Sequence, residues 1–337
     1  MKNGMTYFMQ LRDLVRNFIS KNEVAVLRVF KAVMAFVCIC VIRSNFDYAE
    51  VLRHSWIGFA IAVLCAFVSA SAYTLILAAY LFIELLSLNV MVAFVTIGLI
   101  LLSILLSAIY RGTHYHNLMG TPVGYFIHLP YVTPMISALY GRSGEAVTVL
   151  CGGIITYFLK GVKEHATQFM DSSEGIQVSE LLMDGMVSNV MFYVFLLALV
   201  VMFLVVYVIR CNHISYGWTV AVVSGTISEF IILLSGYLIL NRTSQIPWLI
   251  GGNLITLLVG LFTSYFIFDL DYHRAEKVQF EDDEYYYYVT AIPKVRVEKE
   301  EKEVKKITEG DPSTRRSRMN YTRDSRVKKR GRKVTRV

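Results

Sequence analysis

The sequence predicts an all-α polytopic membrane protein with about eight transmembrane helices (range seven to nine), a short cytoplasmic β-hairpin and a disordered basic C-terminal tail. Hydrophobic residues make up 55% of the 337. Several runs of about 20 residues contain no Lys or Arg, and a helix needs that length to cross a bilayer. Positive charge is concentrated behind these runs, because residues 271–337 hold 19 basic and 13 acidic side chains.

Composition divides the chain into four parts. Residues 1–25 form an amphipathic cytoplasmic segment, residues 26–270 a polytopic transmembrane domain, residues 271–310 the cytoplasmic hairpin with a charged segment, and residues 311–337 the basic tail. In the first part, apolar residues recur at helical spacing opposite basic ones, as in a helix that lies on a membrane surface or docks on the protein. These apolar residues are Met5, Phe8, Leu11, Val15 and Phe18.

The first span is predicted from Val26 to Ile42, with Arg28 and Lys31 at its entrance able to reach back to the headgroups. Residues 56–110 then contain no Lys or Arg and a single acid, Glu84. They can form two long tilted helices, or three short ones with breaks near residues 69–71 and 87–89. Hydropathy leaves both arrangements open.

A proline-containing segment follows. The apolar run from Phe126 to Tyr140 is short for a crossing and contains Pro130 and Pro134. Proline frees backbone carbonyls, which are tolerated at membrane depth only inside protein or beside a cavity. We therefore expect a re-entrant or broken segment here, preceded by a polar loop around Gly120.

Loop charge limits the possible topologies. Basic residues near both ends of the chain predict cytoplasmic termini and hence an even number of crossings. Eight crossings arise either from three helices in residues 56–110 with a non-spanning 126–140, or from two helices with 126–140 crossing. Both arrangements place the acidic stretch 164–188 outside. The remaining spans are predicted at residues 146–159, 190–209, 219–240 and 248–268.

Glu84 and Glu229 are the acids set most deeply in apolar sequence. A carboxylate at mid-membrane is costly unless it is protonated, paired or next to water, so each is a candidate functional residue. Tyr80 adds a hydroxyl to the Glu84 helix, and His128 lies in the proline segment; these four residues form the candidate intramembrane polar site. The functional interpretation is a proton relay or cation site where the two acidic helices meet. The alternative is that each carboxyl fixes helix packing.

No pattern in the sequence indicates catalysis, a metal or a cofactor. The five cysteines form no CxxC pair, and His114 and His116 have no carboxylate near enough to complete a metal site. Nucleotide-binding and hydrolase motifs such as GxxxxGK[ST], HExxH and GxSxG are lacking. We therefore expect no enzyme activity, no cofactor and no metal, and any ATP hydrolysis would belong to a separate subunit.

A β-hairpin is predicted after the last span. Val278 and Phe280 alternate with polar residues, two aspartates can turn the chain, and residues 285–289 favour a strand. Val295 and Val297 could add a third strand. Successive tyrosines face opposite sides of a strand, and each joins an apolar ring to a polar tip. The candidate partner-docking residues are Phe280, Tyr285, Tyr286, Tyr287 and Tyr288.

This C-terminal run also carries a family resemblance. The stretch VQFEDDEYYYYVTAIPKVRV, which follows a final hydrophobic helix and FDLDYHRAEKV, resembles the signature of a family of multi-pass membrane proteins from anaerobic Firmicutes of the clostridial group, sometimes labelled permease-like. The resemblance covers about 30 residues, and the preceding helices match in their general pattern. It implies a bacterial plasma-membrane location and carries over no activity or site residue.

Two function hypotheses follow. The first is a permease-like or transport-associated protein whose hairpin docks a cytoplasmic partner such as a separate ATPase subunit. The second is a membrane scaffold for cell-envelope assembly that recruits partners through its C-terminal tail. Residues 312–337 hold eleven basic residues and one acid, so the tail either binds anionic lipid headgroups or an acidic partner, or only enforces orientation. Nucleic acid is not an expected partner.

Overall fold

The computed structural model describes residues 14–15, 17–110, 112, 115–171, 186–212, 216–268, 276–281 and 285–291. These residues belong to one compact unit that extends from Met1 to Lys294. The helices are α1 Glu23–Asn45, α2 Ser55–Phe67, α3 Ala70–Leu88, α4 Val90–Ile109, α5 Asn117–Phe126, α6 Val132–Tyr140, α7 Glu145–Glu164, α8 Ala166–Asp171, α9 Val190–Cys211, α10 Gly217–Ile239 and α11 Ile246–Thr263. Strands β1 Glu276–Glu281 and β2 Tyr286–Ala291 form a two-stranded sheet.

Seven helices in the described part of the chain are long and apolar enough to cross a membrane: α1, α3, α4, α7, α9, α10 and α11 with its flanking turns. Helix α2 is also apolar but has 13 residues. Large apolar side chains on these helices are exposed, for example Phe59, Leu102, Leu197 and Phe262. Such extensive exposure suits surfaces that face lipid. The chain is therefore a polytopic α-helical membrane protein, and about eight crossings are compatible with it.

Residues 55–110 form three helices, as one of the two predicted arrangements requires. Ser69 begins α3, where its hydroxyl accepts a hydrogen bond from the backbone N–H of Ala72 at 3.4 Å. Asn89 separates α3 from α4 and accepts hydrogen bonds from two N–H groups in the first turn of α4. Polar N-cap residues thus satisfy first-turn donors at both predicted breaks.

Contacts at the helix ends define two sides of the bundle. We call the side where α1 begins the near side and the side where it ends the far side. On the near side, the Lys31 ammonium donates a hydrogen bond to the carbonyl of Val68, just after α2. On the far side, Glu84 of α3 accepts a hydrogen bond from the backbone of Tyr48, just after α1. Helices α1 and α3 therefore run in the same direction, and α2 returns from the far side to the near side between them.

Helices α5 and α6 form a helical hairpin that turns back inside the bundle. Its two ends meet on the near side, where Nε2 of His116 lies 2.8 Å from the hydroxyl oxygen of Tyr140. Its turn, residues 127–131, reaches the start of α11 on the far side, where His128 contacts Trp248. This arrangement agrees with the predicted re-entrant or broken segment.

Helix α5 corrects the predicted polar loop, although Pro122 lies inside it. Its first side chain, Asn117, is buried, and Nδ2 donates hydrogen bonds to Ser137 on α6 and Thr148 on α7, both at 2.8 Å. Gly152 on α7 allows this close approach, since a Cβ there would lie 2.8 Å from the carbonyl oxygen of Asn117. Interhelical hydrogen bonds thus add to the apolar contacts that this helix makes through Leu118, Met119 and Val123.

Helix α7 is the most deeply buried of the seven long helices. Its side chains Ile155 and Phe158 belong to a hydrophobic cluster built mainly with α1–α5. Val149 and Tyr157 belong to a second cluster, built with α6, α9, α10 and α11. Helix α7 therefore joins the two hydrophobic cores of the membrane part.

The predicted β-hairpin is present. Strands β1 and β2 pair antiparallel, with Val278 opposite Val289 and Phe280 opposite Tyr287. Other predictions fall outside the described residues: the N-terminal segment up to residue 13, His114, most of the acidic stretch (172–185), the third strand at Val295 and Val297, and the basic tail.

Candidate functional site

A cavity of about 380 Å³ lies at the turn of the α5–α6 hairpin. Its walls come from this turn and from the ends of α7 and α10 and the start of α11, so we call it the far-side cavity. A concave site with aromatic walls and a few charged groups suits a small ligand. The lining residues include Tyr125, His128, Pro130, Tyr131, Lys160, Lys163, Glu164, Tyr237 and Trp248.

His128 fixes the hairpin turn against α11. Its backbone has a φ of 61°, a left-handed conformation that is uncommon for a residue with a side chain. Its ring stacks on Trp248, with the ring centroids 4.4 Å apart and an interplanar angle of 18°. Its carbonyl oxygen would lie 2.6 Å from a Cβ at Gly252. The contact between turn and helix therefore depends on the absence of a side chain at Gly252.

Two lysines from the last turns of α7 line the cavity. The Lys160 ammonium lies 4.8 Å from the ring centroid of Tyr157 and 6.0 Å from that of Tyr125. The Lys163 ammonium donates a hydrogen bond of 2.6 Å to Oδ1 of Asn45, at the end of α1. The faces of aromatic rings attract cations, and a lysine can bury its apolar stem while its ammonium group reaches a polar site.

Glu229 on α10 is fully buried. Nδ2 of Asn253 on α11 donates a hydrogen bond of 2.7 Å to its Oε2. Oε1 has no hydrogen-bond partner among the described residues. The carboxyl of Glu229 interacts electrostatically with Tyr131 and Tyr237, which both line the far-side cavity. A buried carboxyl group with one unused oxygen therefore lies within electrostatic reach of the cavity lining.

Glu84 holds a loop in place. Its Oε2 accepts hydrogen bonds from the backbone N–H groups of Tyr48 at 3.1 Å and Ala49 at 3.0 Å. Burial, together with this nearby carboxylate, raises the pKa of the Tyr48 hydroxyl. Tyr80, one turn earlier on α3, lies beside Glu84, yet its hydroxyl and Oε1 of Glu84 have no partner with hydrogen-bond geometry within the described part of the chain.

The structure does not bring the two acids together. The loop and helix contacts of Glu84 belong to the cluster built with α1–α5, whereas those of Glu229 belong to the cluster built with α6 and α9–α11. A relay shared by both acids therefore has no support. The alternative interpretation, a carboxyl that fixes packing, describes Glu84.

Pro130 and Pro134, the two prolines of the predicted broken segment, lie at positions that do not interrupt helical hydrogen bonds. Pro130 is in the hairpin turn and lines the far-side cavity. Pro134 is in the first turn of α6, where a backbone N–H would have no intrahelical partner. They account for the break between α5 and α6.

Three tyrosines of the β-hairpin are exposed. Tyr285, Tyr286 and Tyr287 keep 62%, 63% and 44% of their surface, and the rings of Tyr285 and Tyr287 lie 6.3 Å apart, as expected for residues on one face. Phe280 and Tyr288 are placed here by strand register only, opposite Tyr287 and Gln279.

Most cavity residues were not among the predicted site residues. The predicted span ended at residue 159, which left Lys160 and Lys163 as scattered loop charges, whereas α7 continues to Glu164. Tyr157, Lys160 and Lys163 recur every three residues, so that they share one side of the helix. That spacing is the signal that could have identified them. The tyrosines at 125, 131 and 237 and Trp248 carry no comparable signal.

No group of three His, Cys, Asp or Glu side chains that could hold a metal occurs in the part of the chain that the structure describes. Comparisons with protein families, with curated proteins and with solved structures give no match for this chain. The chemistry of the site therefore has to be argued from its own residues.

Proposed function

We propose that this chain is a permease-like transport protein that binds a solute in the far-side cavity. One observation carries the proposal: a re-entrant helical hairpin, a cavity at its turn and the buried carboxyl of Glu229 occur at the same place. Transporters build substrate and ion sites from discontinuous helices and intramembrane acids. The combination favours transport over a purely structural membrane protein.

A second cavity supports a role for the hairpin as the barrier. It measures about 350 Å³ and lies between α1 and the near-side half of the hairpin, with Met34, Gly120 and Thr133 in its mainly apolar lining. The hairpin therefore separates a far-side cavity from a near-side one. A shift of the hairpin that opens one and closes the other would give alternating access.

Glu229 is the residue we propose for proton coupling. Its Oε1 can take up and release a proton while Oε2 keeps the hydrogen bond from Asn253. Tyr131 and Tyr237 line the cavity within electrostatic reach of this carboxyl, and their hydroxyls would pass the proton to the cavity once they form hydrogen bonds with it.

We further propose that the protein resides in a bacterial plasma membrane with the near side in the cytoplasm. The Lys and Arg residues of the first 31 residues and of the tail support this orientation. The β-hairpin would then lie in the cytoplasm, and its exposed tyrosines, Tyr285 to Tyr287, suit docking of a protein partner such as an ATPase subunit.

Transport can be tested in proteoliposomes with an imposed proton gradient. Solute-dependent proton current is measured with a pH-sensitive dye enclosed in the liposomes, for a panel of anionic, neutral and cationic solutes, because cotransport of a monovalent anion with one proton moves no net charge. We expect wild-type protein to give current with at least one solute, and Glu229→Gln to reduce it roughly tenfold or more because the proton-binding oxygen is lost. Glu23→Gln, at an exposed acid in the first turn of α1, is the matched control and should keep the current. Wild-type current equal to that of protein-free liposomes for every solute would refute the proposal.

The second candidate is a scaffold for cell-envelope assembly, which the exposed tyrosines and the structural contacts of Glu84 favour. Deletion of residues 276–337 distinguishes the two functions. If the protein is a scaffold, the deletion should remove its co-purifying partners and its cellular function. The Glu229→Gln variant of a scaffold should keep both. A permease that needs no partner keeps its current in proteoliposomes after the same deletion.

A further inference from the structure

We infer that the far-side cavity binds a small organic anion with a flat apolar body, such as an aromatic carboxylate. This inference rests on the proposed function, because it names the substrate class of the same site. It follows from the balance of charge at the cavity, from the state of its lysines and from its aromatic walls.

Cationic groups outnumber anionic ones around the cavity. Lys160 and Lys163 line it, and Arg242 lies within electrostatic reach of Lys160 and of the lining residue Tyr237. The anionic groups are Glu164, which is the one carboxylate in the lining among the described residues, and Glu229, which lies within electrostatic reach of the lining residues Tyr131 and Tyr237. A partly desolvated site with excess positive charge attracts anions and disfavours cations.

Within the described part of the chain, Lys160 has donors left for a ligand. Its side chain is 19% exposed, and its Nζ lies 3.9 Å from Oε1 of Glu164, at the outer limit of an ion pair. Its other close contact is the face of the Tyr157 ring, 4.8 Å from the ring centroid. An ammonium has three N–H donors, and neither contact has the length of a normal hydrogen bond. A carboxylate in the cavity could accept from this group.

The aromatic walls define the rest of the ligand. The His128–Trp248 stack presents a flat surface on one side of the cavity, and the ring of Tyr125 lies near Lys160 on another. Flat rings favour a flat apolar ligand through offset or edge contacts. The cavity volume of about 380 Å³ is at the lower end of the range for small-molecule sites.

The inference can be tested on full-length protein in nanodiscs with three probes of similar size. Benzoate, benzyl alcohol and benzylamine share a benzene ring and differ in charge. Affinities are measured by isothermal titration calorimetry. We expect benzoate to bind roughly tenfold or more tightly than benzyl alcohol, and benzylamine to bind most weakly, because only the anion forms a hydrogen-bonded ion pair with the Lys160 ammonium. Equal affinities for benzoate and benzyl alcohol, or stronger binding of benzylamine, would overturn the inference.

Matched variants locate the effect. Lys160→Gln should lower benzoate affinity about tenfold while it changes benzyl alcohol affinity little, and Lys160→Arg should keep the preference. Lys21→Gln, at an exposed lysine before α1, should change neither affinity. Each variant's thermal melt reports its folding, and Lys160→Met, which keeps an apolar stem, replaces Lys160→Gln if the latter fails to fold. A full benzoate preference in a folded variant without a cation at residue 160 contradicts the inference.

Binding and transport can fail separately. Benzoate binding that depends on Lys160, without any solute-dependent current, would refute the transport function and leave the anion site standing. Current carried by neutral or cationic solutes alone would support transport and overturn the anion assignment.

Discussion

At the residue scale, Glu84 and Glu229 illustrate how one residue type takes two roles. Both occur in long apolar runs and both are fully buried. Glu84 accepts hydrogen bonds from two backbone N–H groups, 36 and 35 positions away, whereas Glu229 accepts one from a side-chain amide on a neighbouring helix. Each carboxyl keeps one oxygen without a partner among the described residues. The sequence predicted that both matter, but their roles depend on partners that only the fold brings near.

Replacing Glu84 with alanine should destabilise the protein without a specific effect on a ligand. The buried N–H group of Ala49 would lose its acceptor, and the part-buried N–H group of Tyr48 would keep only its hydrogen bond to the carbonyl of Phe46. An unsatisfied buried donor costs about 1–3 kcal/mol, so we expect a loss of roughly that size in the free energy of unfolding. Thermal melting in detergent measures this loss. Glu84→Gln, which keeps an acceptor oxygen, should lose less, and equal stabilities of wild type and Glu84→Ala would contradict the structural role.

At the element scale, the sequence predicted the break in the helical hairpin but not the first of its two helices. Pro130 and Pro134 indicated a break, and the break lies between α5 and α6. Helix α5 was missed because Pro122 and its polar residues indicated a loop, while the hydrogen bonds that hold it involve Ser137 and Thr148, 20 and 31 residues away from Asn117. A local pattern cannot report such tertiary partners.

The contact of the hairpin turn with α11 can be tested at two adjacent glycines. A Cβ at Gly252 would lie 2.6 Å from the carbonyl oxygen of His128, whereas a Cβ at Gly251 has open space around it. Both changes to alanine gain about the same helix propensity, roughly 1 kcal/mol. The difference between the variants therefore isolates the clash.

We expect Gly252→Ala to displace the turn, to lower the melting temperature relative to Gly251→Ala and to weaken benzoate binding. Trp248 stacks on His128, so its fluorescence spectrum should also shift in Gly252→Ala. If the two alanine variants have the same melting temperature and spectrum, the turn does not depend on this contact.

At the scale of the whole molecule, hydropathy predicted most of the long spans, since each of those helices is long and apolar. It could not choose between two and three helices in residues 56–110, because a 13-residue helix is below the usual length of a crossing. Contacts at the two ends of α2 decide the question. Arg43, near the end of α1, donates a hydrogen bond to Ser55 at its start, and Lys31 donates one to Val68 at its end.

This topology predicts that the two ends of α2 open to opposite sides of the membrane. Glu50→Cys and Ser71→Cys, both at exposed positions, are introduced separately into a version without the native cysteines. A membrane-impermeant maleimide added to intact cells should label one of them, and inside-out vesicles should reverse the result. Labelling of both from the same side would show that α2 does not cross.

The short helix α2 has a consequence for the lipid around it. Its 13 residues rise roughly 20 Å at 1.5 Å per residue, against a hydrocarbon core of about 30 Å. This hydrophobic mismatch requires the bilayer to thin locally beside α2, or its flanking side chains to reach toward the headgroups. Membranes of shorter acyl chains should therefore stabilise the protein and longer ones should strain it, which makes bilayer thickness a variable that acts on the fold directly.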